Sequence, residues 1–127
     1  MASLAKLFWL VPLLPGAGAF LLLLFGRRLP RRMAARLACS TVLLSFVLSA
    51  AGFVHLARAA EGPAGLTKTL LPWISSGAFT ASVTLVYDRL AAVMALVVTG
   101  VGFLIHVYST AYMAEDRLHS RYFAFLN

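Results

Sequence analysis

The sequence predicts an all-α membrane protein: three transmembrane helices, the start of a fourth, and a short extramembrane β-hairpin between helices two and three. Three observations lead there. Residues are 61% hydrophobic and 12% charged, with a mean hydropathy of +0.89, where soluble domains average about 45–50% apolar and about 25% charged. Three apolar segments without a Lys, Arg, Asp or Glu run from Leu7 to Phe25, Leu37 to Leu56 and Leu90 to Met113. The basic residues gather between these segments, not within them. A chain of 127 residues is sized for one small domain.

The first segment, Leu7–Phe25, is long enough as a helix to reach about 28 Å, close to the hydrocarbon thickness of a bilayer. Pro12 and Pro15 fall inside it, which membrane helices tolerate where neighbours satisfy the freed backbone groups. A cleaved signal peptide is the competing reading, with Lys6 as a thin basic start and Gly16-Ala17-Gly18-Ala19 as a weak cleavage site. The apolar run continues past those small residues through Phe25, unlike a signal sequence.

The second segment, Leu37–Leu56, places Thr41, Ser45, Ser49 and Gly52 on one helical face. Small, weakly polar residues on one stripe let helices approach closely in lipid, so this is first a packing signal. Between segments two and three lies a polar connection, residues 57–87. Glu61-Gly62-Pro63 and Ser75-Ser76-Gly77 are turn signals. Phe79, Ala81, Val83 and Leu85 alternate with Thr80, Ser82 and Thr84, a strand pattern that Leu66–Trp73 can pair with, although Pro72 limits the ladder.

Asp88 is a natural N-cap for the third segment. On that helix Ala91, Ala95, Thr99, Gly102, His106 and Ser109 share one side, and Leu90, Val93, Val97, Leu104 and Val107 the other. Whether this stripe faces that of segment two or a later helix is left open. After Glu115-Asp116-Arg117, the apolar run from about residue 121 reads as a fourth helix that begins and stops, so the chain is expected to be a fragment.

The net charge of +7 invites a nucleic-acid reading. Five of the 11 basic residues, however, are Arg27, Arg28, Arg31, Arg32 and Arg36, in the loop between segments one and two. Such clusters set membrane orientation, and anionic lipid contact is a second role for them. Interleaved aromatics on a soluble fold, which a nucleic-acid partner needs, are missing. With Arg117 and Arg121 on the same side, the positive-inside rule puts this end in the cytoplasm. The hairpin and the N-terminus, with Lys6, Arg58, Lys68 and Arg89, then lie outside.

Redox or hydrolytic chemistry finds no footing. There is no dinucleotide fingerprint and no P-loop. Gly100-Val101-Gly102 lies mid-helix, Cys39 stands alone where an iron–sulfur cluster needs about four ligands, and His106 and His119 are separated by the membrane boundary, so no metal site is expected. No catalytic residue is assigned. His106 is an ionisable group well inside an apolar helix, and such groups mark proton paths. His106, Thr99 and Ser109 are therefore proton-path candidates. The competing reading is a neutral imidazole hydrogen-bonded between helices. His55, Tyr108 and Tyr112 read as interfacial.

These residues also carry a resemblance. Tyr87-Asp88-Arg89-Leu90-Ala91-Ala92-Val93-Met94, then Val97–Met113 (VVTGVGFLIHVYSTAYM), then Arg121-Tyr122-Phe123-Ala124-Phe125-Leu126-Asn127 resemble the antiporter-like L-subunit family of bacterial NADH-quinone oxidoreductase, respiratory complex I. Pro72-Trp73-Ile74, Pro12-Leu13-Leu14-Pro15 and the Arg-rich first loop are similar to it more loosely. Tyr87, Arg89 and Ala91 depart from the family's usual residues. The resemblance implies a multi-pass subunit of the bacterial inner membrane that couples NADH:quinone electron transfer to proton transport. It implies partners among the other membrane subunits of complex I, and cofactors (NADH, FMN, iron–sulfur clusters, quinone) on other subunits, with none on this chain. The family's proposed proton-carrying glutamate and lysines lie on later helices, so none maps onto this sequence. Alternatives are the large subunit of a multisubunit sodium/proton antiporter, or a truncated small membrane protein with a structural or assembly role.

Overall fold

A computed structural model describes residues 7–58, 65–77 and 79–127; the Lys6 and Glu61-Gly62-Pro63 features lie outside them. In chain order the elements are α1 (Leu10–Phe25), α2 (Arg31–Arg58), β1 (Gly65–Ser76), β2 (Phe79–Asp88), α3 (Arg89–Tyr112) and α4 (His119–Leu126). The chain is mostly helical, with one antiparallel hairpin.

Among the described residues, four helices stand where three and a start were expected. Residues His119–Leu126 complete a helix that begins before residue 121, since the Tyr122 amide already donates to the Leu118 carbonyl at 2.9 Å. It forms because Phe123 and Ala124 find a core to enter, against Leu22 of α1 and Ala34, Ala35 and Ala38 of α2. Among the described residues, α2 and α3 are the helices long and apolar enough to cross a membrane; α1 is apolar but 16 residues long. It starts at Leu10 because Leu7–Trp9 form a turn instead, the Leu10 amide donating to the Leu7 carbonyl at 2.9 Å. Pro12 falls in the first turn, where amides lack helical partners anyway, and α1 continues through Pro15.

The arginine loop also needs correcting. Arg31, Arg32 and Arg36 lie in the first turns of α2, and only Arg27 and Arg28 precede it. Pro30 opens the helix, its carbonyl accepting from the amides of Met33 (2.9 Å) and Ala34 (3.1 Å). Proline suits a helix start, and arginine and alanine are among the best helix formers. Charge does not end a helix; it only determines which part can sit in lipid.

Helix α2 is the centre of the bundle, packed against α1, α3 and α4. Two buried clusters mark its ends. Leu22, Ala34, Ala35, Ala38, Phe123 and Ala124 close the arginine end. Phe8, Leu56, Tyr87 and Ala92 close the other, where the hairpin sits. The hairpin is tied to the start of α1 by the Phe8 and Tyr87 rings, 5.6 Å apart, and by Lys68 Nζ, 3.7 Å from the Trp9 ring centre. Pro72 is accommodated by register shifts between Thr69 and Leu71 and between Pro72 and Ile74. A strand can carry proline at such irregularities. The tip holds Gly77 at φ +57°, a left-handed conformation that glycine adopts without a Cβ clash. Strand β2 runs directly into α3, and Asp88 caps it, its carboxylate accepting from the Ala91 amide at 2.7 Å.

Candidate functional site

The polar side chains buried inside the bundle are Thr41, Ser45 and Ser49 on α2, Thr99, His106 and Ser109 on α3, and His119 on α4. The two stripes take different partners. On α2, Ser45 Oγ donates to the Val11 carbonyl of α1 (3.0 Å) and Thr41 Oγ1 pairs with the Asn127 side chain (3.1–3.2 Å), while Ser49 Oγ has no partner among the described residues and it is the Ser49 backbone carbonyl that accepts from Tyr87 Oη (3.1 Å). Of those on α3, His106 and Ser109 turn towards α4.

His106 is 3% exposed. Its Nδ1 lies 2.8 Å from the Gly102 carbonyl oxygen, one turn back. A carbonyl can only accept, so Nδ1 carries the proton and Nε2 is left as the acceptor. That Nε2 is buried and has no hydrogen-bond partner among the described residues. One turn on, Ser109 Oγ pairs with Tyr122 Oη of α4 at 3.0 Å. The Phe123 ring stands between the two histidines, 6.1 Å from the His106 ring and 4.9 Å from that of His119.

The structure therefore brings His106 and Ser109 together with α4 and sets Thr99 apart. Thr99 Oγ1 donates to the Ala95 carbonyl of its own helix at 2.6 Å, the back-bonding by which threonine satisfies itself inside an apolar helix. It stands two turns from His106, about 10 Å along the axis. In the sequence His119 entered only to set aside a metal site, and Tyr122 and Phe123 only within the resembling motif; none of the three was read as a site residue. Their signal was the spacing His119–Phe123, one helical turn, which aligns the two rings on one face.

His119 is also 3% exposed, and its Nδ1 is buried without a partner among the described residues. Burial pushes its pKa below the ordinary histidine value; the positive charge of Arg31 adds to this and Asp116 opposes it. The folded state thus binds fewer protons at His119 than the unfolded state, and folding stability rises with pH through that window. Stability is expected to be fully present above about pH 6.5 and to fall as the pH drops towards the lowered folded value. Replacing His119 by Gln should flatten that slope, as read from unfolding midpoints in detergent between pH 5 and 8. An unchanged slope would sink the assignment to His119.

Among the described residues, no group of three or more His, Cys, Asp or Glu is placed to hold a metal ion. Cys39 is a free thiol at the side of α2.

With this geometry in hand, similarity to known proteins is informative at two levels. Residues 73–123 match the family described as NADH-ubiquinone oxidoreductase (complex I), chain 5 N-terminus. The match spans the second half of the hairpin, all of α3 and the start of α4. At the level of particular proteins, the chain is similar to NADH-quinone oxidoreductase subunit L of Escherichia coli, 38% identical over 109 residues, covering 85% of this chain and 18% of that protein. It is 34% identical over 119 residues to subunit L of Mycobacterium tuberculosis, covering 94% of this chain and 19% of that one. It is 35% identical over 121 residues to NADH-ubiquinone oxidoreductase chain 5 of Marchantia polymorpha, covering 95% and 18% respectively. The chain thus resembles the N-terminal region of the complex I L subunit along nearly all its length, and spans about a fifth of the length of these relatives.

Proposed function

We propose that this chain acts as the N-terminal region of a proton-translocating membrane subunit of an NADH-quinone oxidoreductase, flanking the proton path and carrying no redox group. Its partners are then the other membrane subunits of that complex, and the NADH, flavin, iron–sulfur clusters and quinone are held by other subunits than this one. It lies in a bacterial inner membrane with the arginine end in the cytoplasm and the hairpin and N-terminus outside. The similarity to subunit L and chain 5 supports this reading, as do the two helices able to span a bilayer.

The observation that carries it is His106: a buried imidazole in the interior half of α3, with one nitrogen bonded to Gly102 and the other without a partner. A buried acceptor left open costs about 1–3 kcal/mol relative to a satisfied one, and an ionisable side chain held at that cost inside an apolar helix is a functional candidate.

The test uses the assembled enzyme in inverted membrane vesicles. His106→Ala and His106→Gln are both expected to leave NADH oxidation within twofold of the parent and to lower protons pumped per NADH by at least half. Full pumping by His106→Gln would show that the imidazole acts only through hydrogen bonding, and the proton-path role would be withdrawn. Co-purification with antiporter subunits instead of a quinone-reducing module would move the chain to that family.

A further inference from the structure

Pro15 lies inside α1 and has no amide hydrogen. The Val11 carbonyl, four residues back, therefore has no donor at its usual helical position. In an apolar bundle such a carbonyl is costly unless a neighbouring helix supplies a donor. Ser45 of α2 supplies it, its hydroxyl lying 3.0 Å from the Val11 carbonyl oxygen. The same hydroxyl lies 3.1 Å from the Thr41 carbonyl of its own helix. A serine hydroxyl has one proton, so it serves one of these carbonyls at a time. Ser45 is fully buried, and Val11 nearly so.

The packing on either side of Pro15 gives this pair a mechanical meaning. Before the proline, the chain holds the hairpin. Phe8 belongs to the buried cluster with Leu56, Tyr87 and Ala92, and Trp9 lies under Lys68 Nζ. After the proline, α1 holds α4. Leu22 belongs to the cluster with Ala34, Ala35, Ala38, Phe123 and Ala124. Gly18 sits so close to its neighbours that a Cβ there would meet the Asn127 amide and stand 2.7 Å from Thr41 Oγ1. The two halves of α1 are thus bound to different bodies, and the residue between them is the one at which helices bend.

We infer that Pro15 is a hinge in α1 and that the Ser45 hydroxyl is its latch. With the hydroxyl proton on the Val11 carbonyl, the first half of α1 is held to α2. With the proton on the Thr41 carbonyl, that half is free to swing about Pro15. The swing loosens the grip of Phe8 and Trp9 on the hairpin, which Tyr87 still anchors to the Ser49 carbonyl. The second half, Gly16–Phe25, stays with α2 and α4. The device is independent of whether His106 carries a proton.

The experiment is amide hydrogen exchange of the full 127-residue chain in detergent, for the parent, Ser45→Ala, Pro15→Ala and the double variant. Ser45→Ala should accelerate exchange in Leu10–Leu14 at least fivefold and leave Gly16–Phe25 within twofold of the parent. Pro15→Ala returns a helical donor to the Val11 carbonyl, so adding Ser45→Ala in that background should change the same amides less than twofold. Ser40→Ala, which removes a hydroxyl bonded to the Leu37 carbonyl on the exposed side of α2, should leave both halves within twofold.

Equal acceleration in the two halves of α1 would overturn the hinge. An equal effect of Ser45→Ala in the two backgrounds would overturn the latch, and an unchanged rate in Ser45→Ala would overturn both. Circular dichroism reports whether each variant keeps its helical content. Should Ser45→Ala unfold outright, recovery of folding in the double variant would support the latch, and failure to recover would overturn it.

Discussion

Replacing Phe123 by alanine is expected to destabilise the fold by about 3–5 kcal/mol, the range for emptying a fully buried aromatic position. Phe123 is 0% exposed and holds α4 against Leu22, Ala34, Ala35 and Ala38. Three rings lean on it: His119 at 4.9 Å, Tyr122 at 5.6 Å in an edge-on arrangement, and His106 at 6.1 Å. The surrounding alanines have no side-chain length with which to fill the gap. An eight-residue helix has little stability of its own, so the loss should appear as undocking of α4. Amide exchange in His119–Leu126 should accelerate by about a hundredfold or more, and the His119 pKa should move back up towards its ordinary value as water enters. A loss below about 1 kcal/mol in detergent unfolding would show that α4 is held by something other than this ring.

The second large effect is expected at Gly52 of α2. A Cβ there would stand 2.7 Å from Cε1 and 3.2 Å from Cζ of Tyr87. The ring cannot retreat, because its hydroxyl donates to the Ser49 carbonyl at 3.1 Å and its face lies against Phe8. Gly52→Ala should therefore destabilise by about 1–3 kcal/mol through overpacking, despite the better helix propensity of alanine, and Gly52→Leu should detach the hairpin from the bundle. Gly16→Ala makes the contrast. Nothing lies within 4 Å of a Cβ at Gly16, so propensity alone acts and stability should rise by about 0.5–1 kcal/mol. Opposite signs for these two glycines in one unfolding assay would locate the hairpin contact; equal signs would contradict it.

Local rules made much of this fold legible. The start of α3 follows from Asp88 ahead of an apolar run, because a capping carboxylate and a change of period coincide there. The hairpin was readable from the alternation in Phe79–Leu85 and the turn residues before it, although the register shifts that absorb Pro72 depend on how the strands pair, which periodicity does not encode. The start of α2 was misplaced for a physical reason: hydropathy locates the part of a helix that suits lipid, and Arg31–Arg36 are helical without suiting it. Helix α4 was half seen, since its stability comes from Phe123 entering a pocket made by α1 and α2, distant in sequence. Of the candidate site, His106 was legible as an ionisable residue in an apolar segment. Its orientation, the pairing of Ser109 with Tyr122 and the self-satisfied hydroxyl of Thr99 were not, because all three depend on which helix lies opposite.

The unequal lengths of the helices have a consequence for the surrounding bilayer. At 16, 28 and 24 residues, α1, α2 and α3 measure about 24, 42 and 36 Å, against about 30 Å of hydrocarbon. Helix α2 exceeds that thickness and α1 falls short of it, yet they are packed side by side. In the membrane placement proposed above, Arg31–Arg36 of α2 would stand in the headgroup layer, its apolar part Leu37–Leu56 would match the hydrocarbon, and the shorter α1 beside it would draw the water boundary inward on its own flank.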